Sequence, residues 1–280
     1  VKSTKITARL ATVLLGLFAL AATSLAATHP LNDPTALAVD ANGNLWVANQ
    51  GNNSILEYSP KYAFQSKATI TQGIDTPTGI AFDPSGNLWV VNSAANNVTE
   101  YTSGVQNTAA TITGFGGPTS IAIDGLANIW VLDQFNSINV YVKAFPYTAQ
   151  STLLTTVTPA TPVYGLAIAG GSLAQGTLNQ AVLTAIEQEL TNSPVNLAIN
   201  NKTSLTMAGT ANGTVYMGAV DGTVNVFNPA KNTTGQFLKL GIVPPGMTVD
   251  SVRGRVYLST GAGNTILVYN TKGKLLHTIQ

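Results

Sequence analysis

A five-residue phrase recurs along this chain at one register. It reads Gly43-Asn44-Leu45-Trp46-Val47, then Gly86-Asn87-Leu88-Trp89-Val90, then, loosened, Ala127-Asn128-Ile129-Trp130-Val131. All three tryptophans of the chain occupy the same slot, which Tyr216 and Tyr257 take over further on. Self-similarity at a fixed spacing constrains architecture before any single residue does, because each repeat is one supersecondary unit that buries its apolar face against its neighbours.

Prolines measure the repeat. Pro34, Pro77 and Pro118 open successive units 43 and 41 residues apart, Val163 takes the proline's place 45 residues later, and Pro244 opens the last unit 81 residues beyond that. The spacing predicts six units, the fourth and fifth blurred, each of the length of a four-stranded propeller blade. Within a unit, an alternating run such as Thr78-Gly79-Ile80-Ala81-Phe82 ends at Asp83, and Asp40, Asp124 and Asp250 hold the same place. The turn that follows has the residues a tight turn needs: a carboxylate that bonds nearby amides and a glycine for positive φ. The second strand carries Leu-Trp-Val. A third strand ends on Tyr58, Tyr101, Tyr141, Phe227 or Tyr269, always 11 or 12 residues after the Trp/Tyr slot. Runs such as Lys67 to Thr71, Ala109 to Thr113, Leu153 to Val157 and Leu275 to Ile279 supply a fourth. The expectation is an all-β, six-bladed propeller, closed with no strand borrowed from the other terminus. Residues 27–31 are expected to add little to its stability.

One stretch departs from the rule. After Gly170-Gly171, apolar residues fall at Leu178, Val182, Ile186 and Leu190, four apart, with Thr177 available as a cap. That period predicts a short amphipathic helix inserted in the fourth blade, against a degenerate strand over Val182 to Ile186.

Composition fits sheets covered on both faces: Gly 26, Pro 13, 45% hydrophobic and 9% charged. Residues 28–280 read as one closed ring. Residues 1–27 read as a secretory leader, with Lys2, Lys5 and Arg9 before the apolar run Leu10 to Ala22 and small residues up to Ala27. Val1 is what a non-AUG start codon gives when read literally, a mainly bacterial habit, so a secreted, periplasmic or extracellular bacterial protein is expected. Without the leader, 10 basic residues face 12 acidic ones. That balance gives no electrostatic reason to bind nucleic acid or an anionic membrane. Cysteine is absent, which excludes disulfides and thiolate metal sites. The Asn-x-Ser/Thr triplets at Asn52, Asn97, Asn201, Asn212 and Asn232 read as turn chemistry.

The segment Pro77 to Asn92 resembles the NHL repeat and the related repeats of streptogramin lyase-like and SMP-30/gluconolactonase-like propellers. The resemblance runs over nearly all of 28–280 and is weakest from Ser172 to Ser204. It implies the propeller fold. For activity it implies two chemistries: in the lyases a histidine base with a bound magnesium ion, in the lactonases a divalent metal held by Glu, Asn and Asp at the channel. This chain has His29 and His277, neither at a central position, and where the lactonase glutamate would stand it reads Asn32-Asp33-Pro34. Glu57, Glu100, Glu187 and Glu189 lie on third strands or in the irregular stretch. No catalytic residue, metal ligand or cofactor is therefore assigned. The candidate ligand-binding set is Asn49, Asn92 and Asp133, three residues after each tryptophan, with Asp75 and Asp33 before innermost strands. The tryptophans read as packing between blades. The expected protein is a monomeric module for a small molecule, glycan or protein, the alternative being a metal-dependent lyase or lactone hydrolase.

Overall fold

The computed structural model describes residues 30–62, 64–133, 137–141, 153–157, 163–169, 172–177, 180–185, 195–196 and 204–280. The leader and His29 lie outside them, as do Glu187 and Glu189. Every described sheet is antiparallel, with its four strands in sequence order. The first consists of β1 (Pro34–Val39), β2 (Leu45–Asn49), β3 (Ser54–Ser59) and β4 (Gln65–Ile70). The second has β5 (Pro77–Phe82), β6 (Leu88–Asn92), β7 (Asn97–Thr102) and β8 (Val105–Thr113), and the third β9 (Pro118–Ile123), β10 (Ile129–Asp133), β11 (Ser137–Tyr141) and β12 (Leu153–Val157). Then follow β13 (Val163–Ala169), β14 (Ser172–Thr177), β15 (Gln180–Ala185) and β16 (Val195–Asn196). The last two sheets are β17 (Ser204–Gly209), β18 (Val215–Ala219), β19 (Thr223–Asn228) and β20 (Thr233–Lys239), and β21 (Met247–Asp250), β22 (Arg255–Ser259), β23 (Ile266–Asn270) and β24 (Leu275–Ile279).

Two expectations are corrected here. The regular six units are met as five complete blades, while in the sheet of β13–β16 the outer strand covers only Val195–Asn196 among the described residues. Among the described residues no helix follows Gly170-Gly171. Residues 180–185 form β15, paired with β14 from Thr177↔Gln180 to Ser172↔Ala185. An apolar period of four cannot outweigh the free edge of β14, whose peptide groups need a partner strand once the sheet is packed between neighbours. Ile186 and Leu190 fall outside the described residues.

The repeated phrase is a hydrogen-bonded lock. Asp83 Oδ1 accepts from the Ser85 and Asn87 amides, both at 2.9 Å, while Oδ2 accepts from Asn87 Nδ2 at 3.0 Å and Trp89 Nε1 at 3.4 Å. Asp124 repeats this with Leu126, Asn128 and Trp130, and Asp40 with Asn44 and Trp46, the indole bonds being 3.1 Å in both. One carboxylate thus closes the first hairpin and fixes the indole. The turn places its third residue at positive φ, at Gly43 (82°) and Gly86 (84°), where only a missing Cβ removes the strain. In the loosened third copy Ala127 adopts φ 65°.

Each fixed indole fills the space toward the next blade. Trp46 meets Phe82 edge-on with ring centroids 5.7 Å apart, fully buried Trp89 packs with Ile121, Ile129 and Val131, and Trp130 with Val163 and Leu166. Innermost strands β1, β5, β9, β13, β17 and β21 neighbour one another in order, and β21 returns to β1. Hydroxyls stitch three of these seams: Thr35 Oγ1 donates to the Pro77 carbonyl at 2.7 Å, Thr78 to Pro118 at 3.4 Å and Thr206 to Pro244 at 2.9 Å.

The last sheet owns all four of its strands, as expected. The closing seam nonetheless uses the residues before Pro34. Leu31, 4% exposed, sits in one core with Phe64, Tyr257, Ile266, Val268 and Ile279. The expectation that residues 27–31 contribute little is therefore corrected at Leu31, because an apolar side chain seated between two sheets contributes about 1.5–3 kcal/mol.

Burial pushes the Tyr58 hydroxyl up to about 12 and raises Tyr101, Tyr216, Tyr257 and Tyr269 as well. An unfolded chain loses those phenolic protons first, near pH ~10. The stability tied to the neutral phenols is complete below pH ~10 and is lost as the pH rises from there through about 12. Urea midpoints should hold steady from about pH 8 to 9.5 and fall at about pH 11. Equal midpoints across that range would contradict the burial of these rings.

Candidate functional site

The innermost strands line a cavity of about 180 Å³ on the ring axis. Its wall mixes hydroxyls, peptide groups and apolar chains: Thr35, Thr78 and Thr119 at equivalent places, Thr206 one residue further along its strand, Ile80 and Ile121, and Tyr164 on β13. Among the described lining residues, Tyr164 is the one titratable side chain. The threonines follow the opening prolines in Pro34-Thr35, Pro77-Thr78 and Pro118-Thr119. That dipeptide is the signal by which sequence reasoning could have found the channel wall, and it was passed over.

Antiparallel order puts the β2–β3 type of turn and the segments leading into the innermost strands on one face, at the channel mouth. Asn49, Asn92 and Asp133 all stand there, at the ends of β2, β6 and β10. Their side chains perform one task in each blade. Asn49 Oδ1 accepts from the Asn32 amide at 2.6 Å, Asn92 Oδ1 from the Asp75 amide at 3.0 Å, and the Asp133 carboxylate from the Gly116 amide at 3.0 and 3.1 Å. Each donating amide lies 17 residues earlier, two positions before the proline. A lead-in segment that has left its own ladder carries amides in need of acceptors, and this position supplies one.

Asn92 is fully buried, and its Nδ2 also donates to Asn97 Oδ1 and Thr99 Oγ1 at 3.0 Å each. Asn49, 1% exposed, donates to the Pro30 carbonyl at 3.3 Å and to Ser54 Oγ at 3.4 Å. Asp133, Asp75 and Asp33 are half-buried at the mouth. The five candidates therefore belong to the first three blades, and no group of three His, Cys, Asp or Glu stands close enough to share a metal ion among the described residues.

A second clamp escaped the sequence reading. Asn53 and Asn264, both at positive φ, accept from the amide just before the next unit's proline: Thr76 N–H to Asn53 Oδ1 and Asp33 N–H to Asn264 Oδ1, each at 2.8 Å. These bonds join one blade to the next across the face. The signal was an asparagine closing the polar turns at Asn53, Asn96 and Asn264, since Asn tolerates the left-handed conformation better than most residues.

Glu57 pairs with Lys67 at 2.8 Å and Glu100 accepts from Asn107 Nδ2 at 2.6 Å, both on third strands away from the channel. His277 lies exposed on the outer strand β24, stacked on Phe64 with ring centroids 5.1 Å apart.

No protein-family model matches the chain, and no curated protein sequence matches it. Solved structures do match in fold. A streptogramin B lyase superposes with a TM-score of 0.61 at 17% identity, covering 81% of this chain and 76% of that one. Selenomethionine-substituted virginiamycin B lyase from Staphylococcus aureus gives 0.59 at 15% identity with the same coverage. A catalytically inactive histidine-to-alanine form of the S. aureus enzyme, solved with quinupristin, gives 0.59 at 16%, covering 82% and 78%. The chain thus shares the β-propeller fold of these structures.

Because Asn92 is fully buried and holds three partners, Asn92→Ala should cost about 1–3 kcal/mol. The denaturation midpoint should drop with the slope unchanged. A midpoint equal to that of the parent would mean that the clamp carries no stability.

Proposed function

We infer that the chain is a secreted, non-catalytic binding module, a ring of six NHL-like blades with the sheet of β13–β16 among them, and that it takes a polar ligand at the channel mouth. The composition of the channel wall carries this reading. Threonine hydroxyls and peptide groups suit hydrogen bonding to an uncharged polar group, while general acid-base or metal-assisted chemistry needs a tuned base or a cation held by several converging oxygens. At the rim Asp33, Asp75 and Asp133 supply acceptors to the ligand, and Asn49 and Asn92 act behind them by fixing the lead-in segments. The ligand is a small molecule, glycan or protein, and the module works as a monomer.

A second reading, a metal-dependent lyase or lactone hydrolase, is favoured by the fold likeness to streptogramin lyase propellers. One assay separates the two. Lactones and cyclic depsipeptides are incubated with the protein with and without magnesium, calcium or zinc, beside Asp133→Asn. The binding reading expects no turnover above background in any arm. Metal-dependent turnover that disappears in Asp133→Asn would overturn it.

A further inference from the structure

The face opposite the channel mouth carries the first-hairpin turns and the β3–β4 type of turn. There, where the last blade meets the first, lies a cavity of about 460 Å³, of the size that takes a small organic molecule. Three cations line it: Lys61 from the turn after β3, Arg253 from the turn before β22, and Arg255 at the start of β22. Asn42, Asn44 and Ser59 add polar groups.

Two of the cations are held in place. Arg253 Nη2 donates to the Asn42 carbonyl at 2.6 Å across the seam, its Nη1 meets Asp250 at 3.1 Å, and its guanidinium occupies the space where a side chain at Gly43 would begin. Arg255 stacks its guanidinium 5.5 Å from the Phe64 ring centroid. Arg255 has no ion-pair partner among the described residues; its Nη1 and the neighbouring Tyr257 hydroxyl are both buried without a well-formed hydrogen bond. Of the carboxylates at this seam, Asp250 is engaged by Arg253 and its amide, and Asp40 by Asn44 and Trp46. The Arg255 guanidinium is left without a carboxylate among the described residues. A guanidinium fork fixed by aromatic stacking recognises an oxyanion at less entropic cost than a free side chain, and a lysine adds a point charge beside it.

We propose that this seam cavity is a second binding site, selective for a small organic molecule that carries an oxyanion group, with Arg255 as its principal contact and Lys61 and Arg253 in support. It is independent of the channel-mouth reading, since it lies on the other face and uses other residues. A ligand seated there touches both the first and last blades and so tightens the closure of the ring.

The test is calorimetric titration at low salt with glucose 6-phosphate, gluconate and glucose, together with the thermal midpoint. Expected are saturable binding of at least one anionic probe, none of glucose, a rise in midpoint with the bound probe, and a fall of tenfold or more in affinity for Arg255→Gln. Lys61→Gln, on an exposed turn, keeps the test valid if Arg255→Gln does not fold, and should weaken binding about threefold to tenfold. Lys239→Gln, on the channel-mouth side, should leave affinity unchanged. The phosphate and carboxylate arms tell which oxyanion is preferred. Binding of neither anion, or binding equal to that of glucose, or anion affinity unmoved by both Arg255→Gln and Lys61→Gln, would overturn the proposal.

Discussion

The first three blades depend on one carboxylate each and what it holds. At the end of the innermost strand, an aspartate receives turn amides on one oxygen and an asparagine amide plus an indole N–H on the other. The first two bonds close a hairpin, which is local. The third fixes the rotamer of a side chain that reaches the next sheet, which is not. An ionised acceptor satisfied by several N–H donors forms bonds about twice as strong as neutral ones. Three partly or fully buried aspartates can therefore sit at the edges of a largely apolar assembly without destabilising it.

Propagation around the circle follows from that coupling. A tryptophan held by its own turn presents a fixed surface to the neighbouring blade, whose strands pack against it. The opening proline has no N–H, and the lead-in residues before it bond to Asn49, Asn92 and Asp133 within the blade and to Asn53 and Asn264 between blades. Closure between last and first blades has no shared strand. It is made by the Leu31, Phe64 and Tyr257 core and by the Arg253 bond to Asn42, which joins residues 211 apart in sequence. The seam is also where the Arg255 guanidinium stands without an ion-pair partner among the described residues.

The fold was legible because the lock leaves a mark at the level of single residues. Asp, then Gly-Asn, then Trp at fixed spacing is hairpin chemistry written in order, and the β-strand positions inferred from it agree closely with β1, β2, β5, β6, β9 and β10. Where the mark fades, so did the reading. Residues 178–190 carry no such phrase, and an apolar spacing of four suggested a helix where the backbone of β14 demanded β15. The candidate site was legible only as a register. Asn49, Asn92 and Asp133 are equivalent, as their spacing said, but polarity at an equivalent position does not distinguish a ligand contact from a clamp on a segment 17 residues earlier. Thr35 and Thr78 went unnoticed for the converse reason: threonine after proline at a strand start is ordinary, and only the ring brings those hydroxyls to one axis. Leu31 was misjudged because nothing in a lead-in segment reveals that it is seated between two sheets.

The most direct measurement is a double-mutant cycle on the third blade, comparing the unfolding free energies of the parent, Asp124→Ala, Trp130→Phe and the double variant. If the carboxylate acts through the indole as well as through the turn, the two losses overlap and the coupling is about 1 kcal/mol, with Asp124→Ala alone the more damaging of the singles. Losses that add to within about 0.3 kcal/mol would mean that turn and inter-blade packing are independent, and the lock would then not be what carries order from blade to blade.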